Sequence, residues 1–184
     1  MVFKPKLQLI WAQDIKGGIG KNNSLPWDIP KEMAHFNKTT TTVNDPCKRN
    51  AVIMGRKCWD SIPQKFRPLK KRLNIVLSRS LQPIEDSDTI IMNDFNLLID
   101  RLCNDEKLNA NLENIFIIGG SDIYTLALES KFLHKLIVST IDFDFGCDVF
   151  IPDVDYDKFK LIDCQDISEE PYKYCIRTYE VKDA

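Results

Sequence analysis

Glycine is scarce in this sequence, seven residues in 184, and histidine is scarcer still, with two. His35 and His134 are too few and too far apart for a metal centre or a nucleophile–base triad, and both read as ordinary surface or half-buried residues. The six cysteines, Cys47, Cys58, Cys103, Cys147, Cys164 and Cys175, show no CxxC or other metal-ligand spacing, so no metal is expected. A chain of this length buries enough core to stand without staples, which removes the need for a disulfide framework and points to a reducing compartment. Long apolar runs are missing too. The first, Leu7 to Ala12, is too short for a signal peptide and far too short to span a bilayer. The phosphate-binding fingerprints G-x-G-x-x-G and G-x-x-x-x-G-K-[ST] are absent. What remains is the expectation of a soluble cytosolic protein forming one domain over residues 1–184.

The composition, 43% hydrophobic with a net charge of −2, hides an uneven charge distribution. From Lys48 to Arg79 ten basic residues face one acid, Asp60, whereas Asp142 to Ala184 carries twelve acids against five bases. The basic segment asks for an anion. Its charges are interleaved with strand-like apolar runs and lack the stacking aromatics of a single-strand binder, so a small polyanion is favoured over nucleic acid.

Apolar, β-rich runs occur at 7–12, 51–54, 73–77, 89–92, 115–118 and 136–141, and alternating ones at 159–167 and 172–181. Residues 94–108 read as one helix, with Phe95, Leu98, Ile99 and Leu102 on a single face behind Asp94 as N-cap. The threonine run 39–42 and the polar stretch to Arg49 read as a loop. Apolar strands alternating with helices predict an α/β fold whose mostly parallel sheet is covered on both faces. An antiparallel hairpin turning at Glu169-Glu170-Pro171 should flank one edge.

Six of the seven glycines fall just past strand ends: Gly17, Gly18 and Gly20, then Gly55, then Gly119 and Gly120. Gly146 reads as simple turn chemistry. In open α/β sheets the ligand crevice lies at those strand ends, where glycine permits close backbone approach. After Ile115 to Ile118 a helix beginning near Ser121 would offer free N–H groups to an anion. After the second central strand, Arg56 and Lys57 open a helix, where cations cost about 0.3–1 kcal/mol each and hint at a compensating anionic ligand, the alternative being a solvated surface pair. Ser78-Arg79-Ser80 follows a third strand and suits a phosphate monoester. Three such junctions favour a dinucleotide with an extra phosphate over a single phosphate. Cys58, close to a helix start, is a candidate for a lowered thiol pKa, but no base accompanies it. Without a protein nucleophile, a cofactor is expected to carry the hard step.

In Leu25-Pro-Trp-Asp-Ile-Pro-Lys-Glu-Met-Ala-His-Phe, Pro30 suits the first helical position, Asp28 the cap and Glu32 the third residue. Glu32 has two readings. It is a first-turn acid complementing the helix dipole, or a carboxylate lying with Met33 and Phe36 on an apolar face, where its pKa rises and it grips a polar ring through two hydrogen bonds.

Eight motifs then stand in order: Gly-Ile-Gly-Lys at 18–21, Leu-Pro-Trp at 25–27, Val-Ile-Met-Gly-Arg-Lys at 52–57, Ser-Ile-Pro at 61–63, Arg-Pro-Leu at 67–69, Arg-Leu-Asn-Ile-Val-Leu-Ser-Arg at 72–79, Ile-Ile-Gly-Gly at 117–120 and Cys-Asp-Val-Phe-Ile-Pro at 147–152. Together they resemble the dihydrofolate reductases, in the eukaryotic form, over nearly the whole chain. The resemblance implies an eight-stranded, mostly parallel sheet and a cytosolic monomer. The implied activity is NADPH-dependent reduction of 7,8-dihydrofolate to 5,6,7,8-tetrahydrofolate, by hydride transfer to C6 and water-mediated protonation of N5. It also implies that folate analogues bind.

Residue by residue, the resemblance makes Glu32 the acid that holds the pterin amino group and N3, Trp27 the residue ordering the proton-donating water, and Leu25 part of the lid over the nicotinamide. Ile10, Met33, Phe36, Asn37, Ile62, Phe66, Leu69, Ile118, Tyr124 and Ser139 would form the substrate pocket, with Arg72 clamping the glutamate α-carboxylate. Ala12, Gly18, Ile19, Gly20, Lys21 and Ser24 would border the nicotinamide. Gly119, Gly120, Ser121, Asp122, Ile123 and Tyr124 would cradle the pyrophosphate region. Arg56, Lys57, Cys58, Ser78, Arg79 and Ser80 would serve the adenosine end and its 2′-phosphate. The family's non-proline cis peptide is expected at Gly119-Gly120. Three residues depart from the family's common pattern: Cys58 and Ser139 each stand where Thr is usual, and Met33 where an aromatic or branched residue is usual. A silent pteridine or nucleotide binder, an RNA binder using residues 48–79, and a reductase of a different pterin are the alternatives. Glu32 speaks against the first of these, the missing stacking aromatics against the second, and Arg72 against the third.

Overall fold

The computed structural model describes residues 3–182. Its strands are β1 (Leu7–Gln13), β2 (Gly18–Gly20), β3 (Arg49–Gly55), β4 (Arg72–Leu77), β5 (Ile84–Glu85), β6 (Thr89–Met92), β7 (Leu112–Gly119), β8 (Leu133–Ile141), β9 (Val149–Phe150), β10 (Phe159–Glu169) and β11 (Tyr172–Val181). The helices are α1 (Pro30–Thr41), α2 (Arg56–Ser61), α3 (Phe95–Asn104), α4 (Glu106–Ala110) and α5 (Ser121–Leu128), with 3₁₀ turns at Gln64–Phe66 and Tyr156–Lys158.

One sheet carries nine strands in the order β10-β11-β8-β1-β7-β3-β4-β6-β5. The run from β8 to β6 is parallel throughout, and the hairpin β10–β11 and the short β5 add antiparallel edges. The ninth strand is β5, two residues that carry no apolar run of their own and pair only at the edge of β6. The glycine segment just past β1 is itself β2, zipped to β9 as a separate ribbon.

Strands buried on both faces read as continuous apolar runs because each successive side chain meets a different layer. Leu7, Leu9, Ile53, Ile75, Ile117 and Leu136 pack on one face against Leu98 and Leu102 of α3 and Ala127 of α5. Ile10, Val52, Met54, Val76, Phe116 and Ile137 form the other face, beneath Trp27 and Ile29.

Two helical expectations need correction. The single helix over 94–108 is two helices, because Asp105 leaves helical geometry and caps the second by accepting from Leu108 N at 3.0 Å. Asp94 caps the first, accepting from Leu97 N at 3.0 Å. Thr39–Thr41 belong to α1 rather than to the loop, which begins at the C-cap Thr42: Thr40 and Thr41 donate back to Phe36 O at 2.9 Å and Asn37 O at 2.7 Å within the last turn.

Register aligns the three strand-to-helix junctions. Gly55 stands opposite Leu77 and Met54 opposite Gly119, so the carboxyl ends of β7, β3 and β4 lie side by side.

Candidate active site

Helix α1 begins with Pro30 behind Ile29, whose side chain cannot cap; Asp28, the expected cap, is exposed and does not serve. Glu32, freed from capping, turns inward and is only 7% exposed. Its surroundings are apolar, and burial pushes its carboxyl up to about 7, while a hydrogen bond from the Ser139 hydroxyl pulls the other way. Ser139 thus keeps the supporting hydroxyl that a threonine would supply.

Around this carboxyl lie the second core face and its rim, including Ile10, Phe36, Ile62, Leu69 and Ile118. Tyr124 is buried against the same strands and donates to Ile10 O at 2.8 Å. Met33 and Phe66 are exposed, and Leu25 is likewise exposed on the segment after β2. Among the described residues Trp27 Nε1, His35 Nε2, Asn109 Oδ1 and the Tyr174 hydroxyl are buried without a hydrogen-bond partner. Buried polar groups are almost always satisfied, so the Trp27 indole N–H, beside the second core face, is a donor that a bound molecule or water can complete.

Arg72 opens β4 and the residue is only 6% exposed. It donates to Lys70 O at 2.8 Å, Thr40 Oγ1 at 2.9 Å and Asn37 Oδ1 at 3.5 Å, all neutral. Among the described residues no carboxylate pairs with it, and burial lowers its pKa. A buried cation with only neutral partners is prepared for an anion from outside.

The cofactor-type residues gather at the aligned junctions. Gly119 and Gly120 are joined by a cis peptide, and Gly119 has φ +140°. A Cβ at Gly120 would meet nothing within 4 Å, while one at Gly55 would come within 3.0 Å of Ile123 Cγ1. Open space therefore lies against the backbone at the start of α5, whose Gly120 cap leaves the first N–H groups free of side-chain acceptors. That space, at a strand end and a helix start, has room for a nucleotide diphosphate backbone. Ser121 turns its hydroxyl to Phe150 O at 3.3 Å, and Asp122 is exposed. Ala12 closes the end of β1, and Gly18, Ile19 and Gly20 form β2; Lys21 pairs with Ser24 in the tight turn beyond.

Arg56 links the second junction to the third by donating to the Ser80 hydroxyl, and Ser78 Oγ lies 3.4 Å from Ser80 Oγ. Lys57 and Arg79 are exposed beside them. Asp60 pairs with Arg56 at 3.3 Å and lies 3.7 Å from Arg67, so the cations at the start of α2 are partly compensated from within the protein. That weakens the case for an external anion at α2 itself and leaves it resting on Ser78, Arg79 and Ser80. Cys58 also departs from expectation. The residue is half-buried with its thiol 3.8 Å from Ile118 O, and desolvation of that thiol pushes its pKa up to about 12 instead of lowering it.

Sequence reasoning missed Thr40, which holds Arg72, because threonines in a run read as loop. It also missed Asp14, Phe145 and Tyr174, whose partners lie far along the chain. Among the described residues no cluster of His, Cys, Asp or Glu could hold a metal ion, and no helix is long and apolar enough to cross a membrane.

A parallel sheet carrying a buried carboxyl and a glycine-lined cleft at its carboxyl edge is the architecture of an α/β enzyme that brings a nucleotide and a small substrate together. The family model described as dihydrofolate reductase matches residues 6–181. A putative dihydrofolate reductase of Caenorhabditis elegans is 42% identical over 165 residues, covering 90% of this chain and 87% of the relative. The Rattus norvegicus dihydrofolate reductase is 38% identical, covering 96% and 98%. The solved structure of Schistosoma mansoni dihydrofolate reductase superposes with a TM-score of 0.84 at 34% identity, covering 98% of this chain and all of that one. The chain belongs to the dihydrofolate reductase family and is an enzyme of that family.

Proposed function

We propose that this protein reduces 7,8-dihydrofolate to 5,6,7,8-tetrahydrofolate with NADPH, so supplying one-carbon, thymidylate and purine synthesis. The observation that carries this reading is Glu32, a buried carboxyl in an apolar cleft, steadied by the Ser139 hydroxyl and poised near neutrality. An ionised Glu32 accepts two hydrogen bonds, the pattern offered by a 2-amino group and an adjacent ring N–H. When bound, the reduced nicotinamide supplies the hydride equivalent that saturates C6. The protein's own task is to orient the ring, exclude water and deliver a proton to N5.

Trp27 suits the proton step, since its buried Nε1–H lacks a protein acceptor and can hold a water next to the ring. Arg72 suits the far end of the substrate, where its fork matches a carboxylate in bidentate geometry. The 2′-phosphate of NADPH would lie with Ser78, Arg79 and Ser80. The open backbone at Gly120 leaves room for the pyrophosphate at the start of α5.

The experiment is direct: mix purified protein with NADPH and dihydrofolate and follow cofactor oxidation, with Glu32→Gln alongside. Rapid oxidation that disappears in the variant supports substrate, cofactor and residue together. Tight NADPH binding without oxidation would overturn the reading in favour of a silent binder or another pterin.

A further inference from the structure

Asp14 follows β1 directly and is fully buried, yet no part of the site described above uses it. Its Oδ1 accepts from Gly18 N at 2.8 Å and Lys16 N at 2.9 Å, and its Oδ2 accepts from Phe145 N at 3.1 Å. The Cys147 thiol hydrogen-bonds the same carboxylate. Burial alone would raise the carboxyl, but the N–H donors of Gly18, Phe145 and Lys16 outweigh it and hold the pKa below its ordinary value. The charge is therefore kept. Packing around it is tight: a Cβ at Gly18 would come within 2.4 Å of Cys147 Cβ and 3.0 Å of Asp14 Oδ1.

The two oxygens address different parts of the site. Oδ1 holds Gly18, the first residue of β2, which leads into the segment carrying Lys21, Leu25 and Trp27. Oδ2 holds the loop after β8. There the Phe145 ring packs on Trp27 with centroids 5.2 Å apart and on Phe143 and Tyr172 at 4.6 and 5.2 Å. Neighbouring contacts run the same way: Ile15 N donates to Phe143 O at 3.1 Å, and Lys21 Nζ reaches Phe145 O at 3.5 Å.

We propose that Asp14 is a positioning residue for the reduction, its carboxylate tying the glycine strand to the Phe145 loop so that the Phe145 ring sets the indole of Trp27 over the substrate ring. This inference rests on the reductase reading. Asp14 touches neither substrate nor cofactor; it acts through Gly18 and Phe145. Its effect belongs in kcat, because a displaced Trp27 disturbs the reacting end of the pocket while Arg72 and Glu32 keep their own supports.

Asp14→Asn separates the two arms, since an amide keeps one acceptor and presents a donor to the other N–H. The test measures this variant, Phe145→Leu and the double variant, with active sites counted by tight ligand titration so that unfolded protein does not enter. In the free protein, hydrogen exchange of the Phe145 or the Gly18 amide should quicken at least about tenfold, that is, one segment should lose protection. Turnover per active site should fall about ten- to a hundredfold in Asp14→Asn, with the KM for dihydrofolate changed less than about threefold. The double variant should be no slower than the worse single variant, because both act on one element.

Unchanged exchange, or faster exchange with normal turnover per site, would reduce Asp14 to a structural residue and overturn the proposal. Losses that simply add in the double variant would overturn the route through Phe145. A wild-type protein that reduces no dihydrofolate would instead overturn the reductase reading, and the exchange data on the free protein tell these failures apart.

Discussion

The Ser139 hydroxyl of β8 donates to the Glu32 carboxyl of α1, joining the sheet to the helix at an acid buried in the apolar cleft. Replacing Glu32 by Gln keeps the shape and removes the charge. Turnover of dihydrofolate should fall by at least about a hundredfold, the range lost when a positioned acid–base or charged group is removed. NADPH affinity, measured by fluorescence titration, should stay within about threefold. Near-normal turnover would show that another group anchors the ring.

The same carboxyl costs stability at neutral pH. Its pKa rises from an ordinary 4.5 to about 7 on folding, so the folded state binds the proton more tightly than the unfolded chain. The stabilising contribution of the protonated form is complete below 4.5 and disappears as the pH rises through about 7. Above that pH the charged form costs roughly 3 kcal/mol relative to a neutral group. Glu32→Gln should therefore be more stable than the parent at pH 8, with the gap closing towards pH 5. Urea denaturation at the two pH values checks this, and a gap that widens on acidification would contradict it.

Arg72→Leu should leave the ring-binding end intact and lose the carboxylate clamp. A hydrogen bond to a charged group contributes about 1.5–3 kcal/mol, so the KM for dihydrofolate should rise roughly ten- to a hundredfold. A dihydropterin without the glutamate tail should be reduced equally well by parent and variant. Equal losses on both substrates would remove Arg72 from substrate recognition.

Arg79→Ala should weaken NADPH binding far more than NADH binding, because the two cofactors differ in the 2′-phosphate alone. Dissociation constants from titration of the purified variant decide it, and parallel losses would move the phosphate contact to Arg56 or Lys57.

How much of this was legible beforehand depended on whether a residue's partners were local. Thr89–Met92 and Tyr172–Val181 are strands over the very residues that their apolar or alternating pattern marks, since burial on one face or both leaves its period in the sequence. The break at Asp105 was invisible because no glycine or proline interrupts residues 94–108. Glu32 was legible through Pro30, which fixes the helix start and hence the face on which residue 32 falls. Cys58 misled because a helix start suggests a stabilised thiolate, whereas its burial is decided by β7 packing over it. Asp14 gave no signal at all. Its partner Phe145 lies 131 residues along the chain, and nothing local distinguishes it from a turn aspartate.

The strand order also sorts charge in space. The acid-rich segment forms β9, β10 and β11, the last two at one edge of the sheet, and the basic segment forms β3, α2 and β4 on the far side of β7. The crevice at the strand ends lies between them, so an approaching polyanion meets a field that turns it away from one flank and draws it along the other. On the proposed reading, encounter should be faster and already oriented, phosphates toward β4, and its rate should decline with rising ionic strength even where turnover at saturation does not.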